Sequence, residues 1–463
     1  MIVMKFGGTS VNDAVAMRRV ADIVKTRLEQ QPVVVVSAVG GLTNNLVTLS
    51  KEAKNSNDAR VKEIITALVN RHQTIINDLG LAESRTLKAR LSEVVAVLES
   101  ACTDLGRADS MQKDLVDVIL STGEFLSANI MAEYMDSIGM NGAWADARDI
   151  LVTDSAYGSA RPMMKESTEQ AKMILLPMVA ANKIPVIQGF IGRDGAGKIT
   201  TLGRGGSDYS ASLFGAMLDV DSVEIWSDVS GVLTADPSLV PDAKRILLMS
   251  FQEAAELAYF GAKVLHPATM LPAVEKGIPI FVLNSIHPEQ GGTQIALSSD
   301  IDPDKGCVVK SIAYKEGLTV ITVHSTRMLM AHGFMLSIFQ IFEKYKTPVD
   351  LVATSEVSVS ITIDNTEHLE EIKNELCAFA TVGIVHNKAI VCLVGQYLKR
   401  TTGMPAKIFG LLGDVRIHLI SQGASEINIS FVIDESELER VIKRLHEHFF
   451  AQSANPEIFT ENN

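Results

Sequence analysis

The chain has 463 residues, with 42 Lys and Arg against 55 Asp and Glu, a formal charge of −13, 47% hydrophobic residues and 21% charged residues. This composition supports a large apolar core and excludes a disordered chain or a disulfide-built miniprotein. An acidic chain with no basic block also argues against nucleic acid or an anionic membrane as partner, because phosphate backbones are held by clustered Lys and Arg.

In chain order, residues 2–6 predict a buried strand, 11–30 a helix and 33–37 a second strand, with helical patterns continuing to residue 105. Further strands are expected over 142–146, 184–189, 222–227 and 278–283. Such alternation predicts a sheet covered by helices on both faces, with ligands held in loops beyond the carboxyl ends of the strands. The Pro-, Gly-, Ser- and Asp-rich run after residue 284 marks a boundary. We therefore expect one α/β unit over 1–292, a linker over 293–305 and a second region over 306–463. In that region, β-branched strands at 318–323, 357–363, 389–394 and 426–433 interleave with helices at 333–345, 366–377, 402–412 and 435–448. The pattern is βαββαβ twice, the ferredoxin-like unit, over about 315–387 and 388–463. The second unit lacks a closing strand, so 307–313 is expected to supply it and interlock the two.

The N-terminal residues read directly as a strand and carry no signal-peptide pattern. The apolar stretch 173–181 contains Pro177 and is too short for a bilayer, which takes about 20 residues, so no membrane span is expected. Cys102, Cys307, Cys377 and Cys392 are far apart and form no CxxC pair. That spacing suggests neither a zinc site nor a disulfide framework and fits a reducing cytoplasm.

Three glycine-rich loops carry the chemistry. Lys5-Phe6-Gly7-Gly8-Thr9-Ser10 leaves a buried strand and opens a helix. Its glycines admit close backbone approach, the helix N-terminus favours an anion, and Lys5 adds a charge. The same residues also make a tight turn with Ser10 as helix cap, but a lysine inside an apolar strand needs an ionic partner. The loop from Ser37 to Asn44 again joins Gly-Gly to hydroxyls, Ser37 and Thr43 among them, although a capped turn would look the same. The third loop, Thr200 to Ser210, places Arg204 among glycines before Ser207 and Asp208. Arg204 suits a carboxylate and Asp208 a lysine or arginine, whereas the bland reading makes Ser207 or Asp208 a helix cap and leaves Arg204 solvated. Glu124 falls at an apolar helix start, either as a capping acid or as a partner for a substrate ammonium. Residues 192–199 nearly match a P-loop, but Ile199 stands where its metal-binding hydroxyl belongs, so they are expected to form a hairpin turn. The ten histidines lack metal-ligand spacing, and no Ser/His/Asp or Cys/His arrangement is recognisable. What remains is equipment for phosphoryl transfer by positioning and charge.

These stretches resemble the aspartate kinases of the amino acid kinase family: KFGGTSV from Lys5, SAVGGLTN from Ser37, STGE ending at Glu124, TTLGRGGSDYSA from Thr200, SDVSGVLTADP from Ser227 and FGAKVLHPAT from Phe260. The resemblance implies a three-layer α/β sandwich of the amino acid kinase type, followed by two ferredoxin-like ACT domains. It implies transfer of the ATP γ-phosphoryl group to the side-chain carboxylate of L-aspartate, the first step towards lysine, threonine and methionine. ATP would come with Mg2+, which its phosphates would carry without a metal site on the protein. Lys5 and Asp208 would be catalytic, and Ser37, Thr43, Glu124, Arg204 and Ser207 would bind aspartate. Lys5, Gly7, Gly8, Ser227, Asp228, Leu233 and Lys263 would bind the nucleotide. Relatives often have tyrosine at the place of Leu233 and arginine at that of Ser238, so stacking and one charge are missing there. The segment 324–359 is similar to lysine-sensitive members, implying feedback inhibition by L-lysine at Met328, Phe334, Met335, Asp350 and Ser355. On periodicity alone, Phe334 belongs to a core stripe. A homodimer or dimer of dimers through the ACT domains is also implied. Two rivals stay open at this point: another amino acid kinase, and an inactive ACT amino-acid sensor.

Overall fold

A computed structural model describes residues 1–261, 267–297, 308–328, 332–451 and 458–460. Ile2–Phe6 (β1) and the valine run Pro32–Val36 (β2) are buried along their whole length, as strands covered on both faces should be. They join Gly142–Ala145 (β3), Ile184–Gln188 (β4), Ser222–Ser227 (β5), Leu248–Ser250 (β6), Ile280–Asn284 (β7) and Gly292–Ala296 (β8) in one eight-stranded sheet. The order is β6-β8-β7-β5-β1-β2-β4-β3. Pairings from β7 to β3 are parallel, while β8 runs antiparallel to β7 and parallel to β6. The strand β8 occupies residues expected to begin a linker. Its glycine content reads as a break, yet a Cβ on Gly292 would stand 1.9 Å from the Val282 carbonyl oxygen, so the pairing requires that glycine.

Side chains alternate across β1. Ile2, Met4 and Phe6 enter one core with Ala14–Lys25 (α1), Leu42–Lys54 (α2), Asp58–Asp78 (α3), Arg85–Arg107 (α4) and Lys113–Ser137 (α5). Val3 enters the other with Met164–Ala180 (α6), Gly206–Leu218 (α7), Phe251–Tyr259 (α8) and Pro267–Lys276 (α9). The same alternation turns Lys5 to the α7 face. Among described helices α5 alone is long and apolar enough to cross a membrane, and 78% of its most apolar window is buried inside the protein. It is the core helix of this layer. The hairpin expected at 192–199 is present: Ile191–Asp194 pairs antiparallel with Ile199–Thr201, and Asp194 accepts from the amides of Ala196 and Lys198.

The second sheet is antiparallel and built from Val308–His324 (β9), Val352–Thr354 (β10), Ser358–Ile363 (β11), Thr381–Gln396 (β12), Ile417–Gln422 (β13) and Asn428–Asp434 (β14). Its order is β10-β11-β9-β12-β14-β13. Helices Phe334–Lys344 (α10), Leu369–Cys377 (α11), Met404–Leu411 (α12) and Leu438–Phe450 (α13) complete two βαββαβ units. Strands β9 and β12 run through both units, so the first half of β9 closes the second unit. Lys315-Glu316-Gly317 reads as a break between strands. It is instead a bulge with a register shift, where Gly317 takes φ +73°.

Helix α8 joins the two parts through residues three apart. Glu253 pairs with Lys310 of β9 at 2.9 Å, both side chains fully buried. Glu256 accepts from Asn428 Nδ2 at 2.6 Å, and the Tyr259 hydroxyl lies 3.4 Å from Asp350 Oδ1.

Candidate active site

The loop after β1 is tied down first. The Gly7 amide donates to the Trp226 carbonyl at 3.0 Å, so Gly7 is spent on structure and does not offer the free donor expected of it. The helix expected from residue 11 starts later. Thr9–Val11 is a 3-10 turn, and α1 opens at Ala14 with Asp13 accepting from the Ala16 amide at 2.9 Å. Asp13 outcompetes Ser10 as the cap. Ser10 is buried, its hydroxyl 2.7 Å from that of Ser285. Gly8 is needed for a close approach, since a Cβ there would meet the Ala38 carbonyl oxygen at 2.9 Å. Arg71 of α3 bolts the same two loops together, donating to Gly40 O at 2.8 Å and Asn12 Oδ1 at 2.7 Å.

Lys5 is 8% exposed, and its Nζ lies 2.6 Å from Asp208 Oδ1 in the first turn of α7. That is the ionic partner a buried lysine requires. The cap position of α7 is Gly205 at φ +66°, with no side-chain cap, so Ser207 and Asp208 are not capping residues. Arg204 is exposed on the preceding loop and has no ion-pair partner among the described residues.

Glu124 lies in the middle of α5, not at a helix start. Ser121-Thr122-Gly123 imitates a cap, but Gly123 is there for space: a Cβ would stand 2.8 Å from the Ala38 Cβ. Glu124 is 4% exposed and its Oε2 has no hydrogen-bond partner among the described residues. Burial pushes its pKa up to about 7, although the Ala38 amide and the charge of Lys5 favour the ionised form.

Lys5, Gly8, Ser37, Thr43, Glu124, Arg204, Ser207 and Asp208 all line one cleft of about 310 Å3 at the carboxyl ends of the strands. The cleft therefore offers a paired lysine, and, without ion-pair partners among the described residues, a guanidinium and a buried carboxyl. Such a set suits a zwitterion with a further anionic group. Sequence reasoning missed Phe190, which lines the same cleft at φ +71°. The Ser210 hydroxyl accepts from its amide at 2.8 Å. Its signal was positional only: it directly follows Gly189 at the end of β4.

Ser227, Asp228 and Leu233, expected on the nucleotide side, are not among the residues lining this cleft. Ser227 ends β5, and its carbonyl accepts from the Ser285 amide at 2.7 Å; Asp228 is exposed. Leu233 lines a second cleft of about 490 Å3 with Asp236, Gly261 and Tyr314, between the loop after β5 and strand β9. The Ser238 hydroxyl is committed to Asp236 Oδ1 at 2.6 Å. Lys263 lies outside the described residues.

Of the residues expected to bind an effector, Met328, Phe334 and Met335 pack together on one core, with Phe334 edge-on to Phe379 at 5.5 Å. Gly333 begins α10 without a side-chain cap. Asp350 precedes β10 by two residues and Ser355 directly follows it. Asp350 pairs with Lys315 at 2.7 Å, and burial holds its pKa above the usual range despite that cation. Ser355 closes a turn by accepting from the Ser358 amide at 3.2 Å. No group of three or more His, Cys, Asp and Glu side chains among the described residues is placed to hold a metal ion.

Residues 1–284 match the model of the amino acid kinase family, and residues 391–449 that of an ACT domain. The chain is 37% identical over 459 residues to lysine-sensitive aspartokinase 3 of Escherichia coli, covering 97% of this chain and 99% of that one. It is 36% identical to chloroplastic aspartokinase 1 of Arabidopsis thaliana, covering 97% of this chain and 80% of the relative. The crystal structure of E. coli aspartokinase III with aspartate and ADP, called its R-state, superposes with a TM-score of 0.81 at 36% identity, covering 97% and 100% of the two chains. The T-state complex with lysine and aspartate gives the same TM-score over 97% and 99%. An amino acid kinase fold followed by ACT domains is thus shared along nearly the whole length of these enzymes, and the chain belongs to the aspartokinase family.

Proposed function

We propose that this aspartokinase transfers the γ-phosphoryl group of ATP to the side-chain carboxylate of L-aspartate, giving 4-phospho-L-aspartate and ADP. The observation that carries the reading is the cleft itself, where the Lys5–Asp208 pair faces Glu124 and Arg204. The E. coli structure that matches the chain binds aspartate and ADP.

A carboxylate is already an oxygen nucleophile, so the reaction requires no general base. Catalysis then rests on placing two anions together and neutralising the charge on the transferred group. Lys5, oriented by Asp208, supplies that charge, and Gly8 is the glycine of its loop whose backbone approaches the phosphates. Arg204 and Ser207 take the α-carboxylate, Glu124 the α-ammonium, and Ser37 and Thr43 the reacting carboxylate. Ser227, Asp228, Leu233 and Lys263 belong to the nucleotide side. ATP would bring Mg2+ on its phosphates, where the ion would supply charge neutralisation beside Lys5. We read residues 1–296 as the catalytic part and the paired units from 308 as the regulatory part.

The same reading makes L-lysine the inhibitor, since the E. coli relatives are lysine-sensitive and crystallise with lysine. Asp350 is its ammonium partner, and Lys315 holds that carboxylate in its absence. Exposed Leu336 and Phe339 on α10 favour a homodimer or dimer of dimers through this region. A cytoplasmic enzyme suits the three unpaired cysteines among the described residues.

The test is product trapping. With MgATP and hydroxylamine, L-aspartate should yield the β-hydroxamate that an acyl phosphate forms. N-acetyl-L-aspartate, lacking the ammonium that Glu124 requires, should yield almost none. Equal yields from both would point to an N-acylated substrate and overturn the assignment of Glu124.

A further inference from the structure

Helix α5 carries a second acidic side chain on the face that bears Glu124. Asp117 precedes it by seven residues, two turns along the same stripe, and is fully buried. Burying a carboxylate is costly unless its lone pairs are filled, and here they are filled from one neighbouring substructure. Asp117 Oδ2 accepts from the amides of Gly158 at 3.0 Å and Thr201 at 2.9 Å. Its Oδ1 accepts from the Thr201 hydroxyl at 2.8 Å. These two partners flank the base of the Arg204 loop. Thr201 is three residues before Arg204, and the Gly158 carbonyl oxygen lies 3.1 Å from where a Cβ on Gly203 would stand. The hydroxyls of Thr153 and Thr200, 2.7 Å apart, fasten the same base from the other side.

We propose that Asp117 is a positioning residue for amino-acid recognition, fixing the Arg204 loop to the helix that carries Glu124. One rigid element then sets the separation of the guanidinium from the carboxyl, and so the spacing of the α-carboxylate and α-ammonium that the cleft accepts. Glu124 stands directly on α5, whereas Arg204 is referred to it through Asp117. An asparagine can keep both amides on its single acceptor oxygen and turn its NH2 towards the Thr201 hydroxyl, so what it removes is the charge behind all three hydrogen bonds. This inference rests on the roles of Glu124 and Arg204 given above.

The experiment is steady-state kinetics on the full-length Asp117→Asn, Thr201→Val and Thr201→Ser enzymes, with the melting temperature recorded for each. Asp117→Asn should raise the KM for L-aspartate about tenfold, the scale of one lost charge-assisted hydrogen bond, and leave the KM for MgATP within about twofold of wild type. Thr201→Val should raise the aspartate KM about threefold, and Thr201→Ser, which keeps the hydroxyl, should restore it. In an Arg204→Ala background, Asp117→Asn should add no further increase, because its effect passes through Arg204. Equal rises in both KM values, or full additivity with Arg204→Ala, would make Asp117 a merely structural residue and overturn the inference. An aspartate KM within about twofold of wild type would do the same. If Asp117→Asn does not fold, the valine–serine pair at Thr201 decides alone. Wild-type turnover that ignores aspartate would overturn the reading of the cleft together with this inference, and is distinguishable because it needs no variant.

Discussion

Replacing Glu124 by glutamine should stabilise the substrate-free enzyme in a pH-dependent way. The carboxyl titrates at about 7 in the folded protein against an ordinary 4.5, because burial in the cleft penalises its charge. A pKa raised on folding gives stability that is complete below the unfolded value and is lost as pH rises towards the folded one. The window is therefore pH 4.5 to 7. The rise from 4.5 to about 7, at 1.36 kcal/mol for each tenfold change in acidity, is worth about 3 kcal/mol, and for a domain of this size that moves the melting temperature by about 6 °C. Glutamine is neutral throughout. The difference in melting temperature between Glu124→Gln and wild type should thus grow in favour of the variant from pH 4.5 to 7 and level off above. Scanning fluorimetry without substrate reads it directly, and every other titrating group cancels in the difference. A pH-independent difference, or one growing in the opposite direction, would refute the claim that a buried carboxyl without a cation waits in the cleft. The stability given up is what a site kept ready for a cation costs.

Gly8→Ala places a Cβ against the backbone at Ala38 and Gly40, which cannot swing away as a side chain would; kcat should fall at least about tenfold by coupled assay, with a loss of about 1–3 kcal/mol in stability by denaturant titration. Lys310→Met removes the buried cation 2.9 Å from Glu253, and a loss of about 3–5 kcal/mol should appear as a lower melting temperature. Asp350→Asn weakens the site proposed for the effector's ammonium, so the L-lysine concentration giving half-inhibition should rise about tenfold. An unchanged inhibition curve would move the effector site elsewhere.

Much of the catalytic layer was legible because the local signals were strong. The valines of β2 and the apolar run of β1 can only be strands covered twice, and a lysine among them demanded an acid, which Asp208 supplies. The Gly-Gly loops were readable because they end strands. What the residues hid was long-range. Gly123 looks like a helix breaker and is a contact point for Ala38. The bulge at Gly317 and Asn387, at φ +73° and +55°, lets β9 and β12 run through both regulatory units where polar residues suggest turns. Asp350 meets Lys315, 35 residues away, and no spacing rule brings that pair together. Phe190 enters the cleft by taking a left-handed conformation unusual for an aromatic residue.

The most direct measurement is ADP release from MgATP with and without saturating L-aspartate, for wild type and Lys5→Ala side by side. The account predicts turnover that depends on aspartate in the wild type and falls by at least about a hundredfold in Lys5→Ala. Aspartate-independent turnover, or a Lys5→Ala enzyme as fast as wild type, would contradict it.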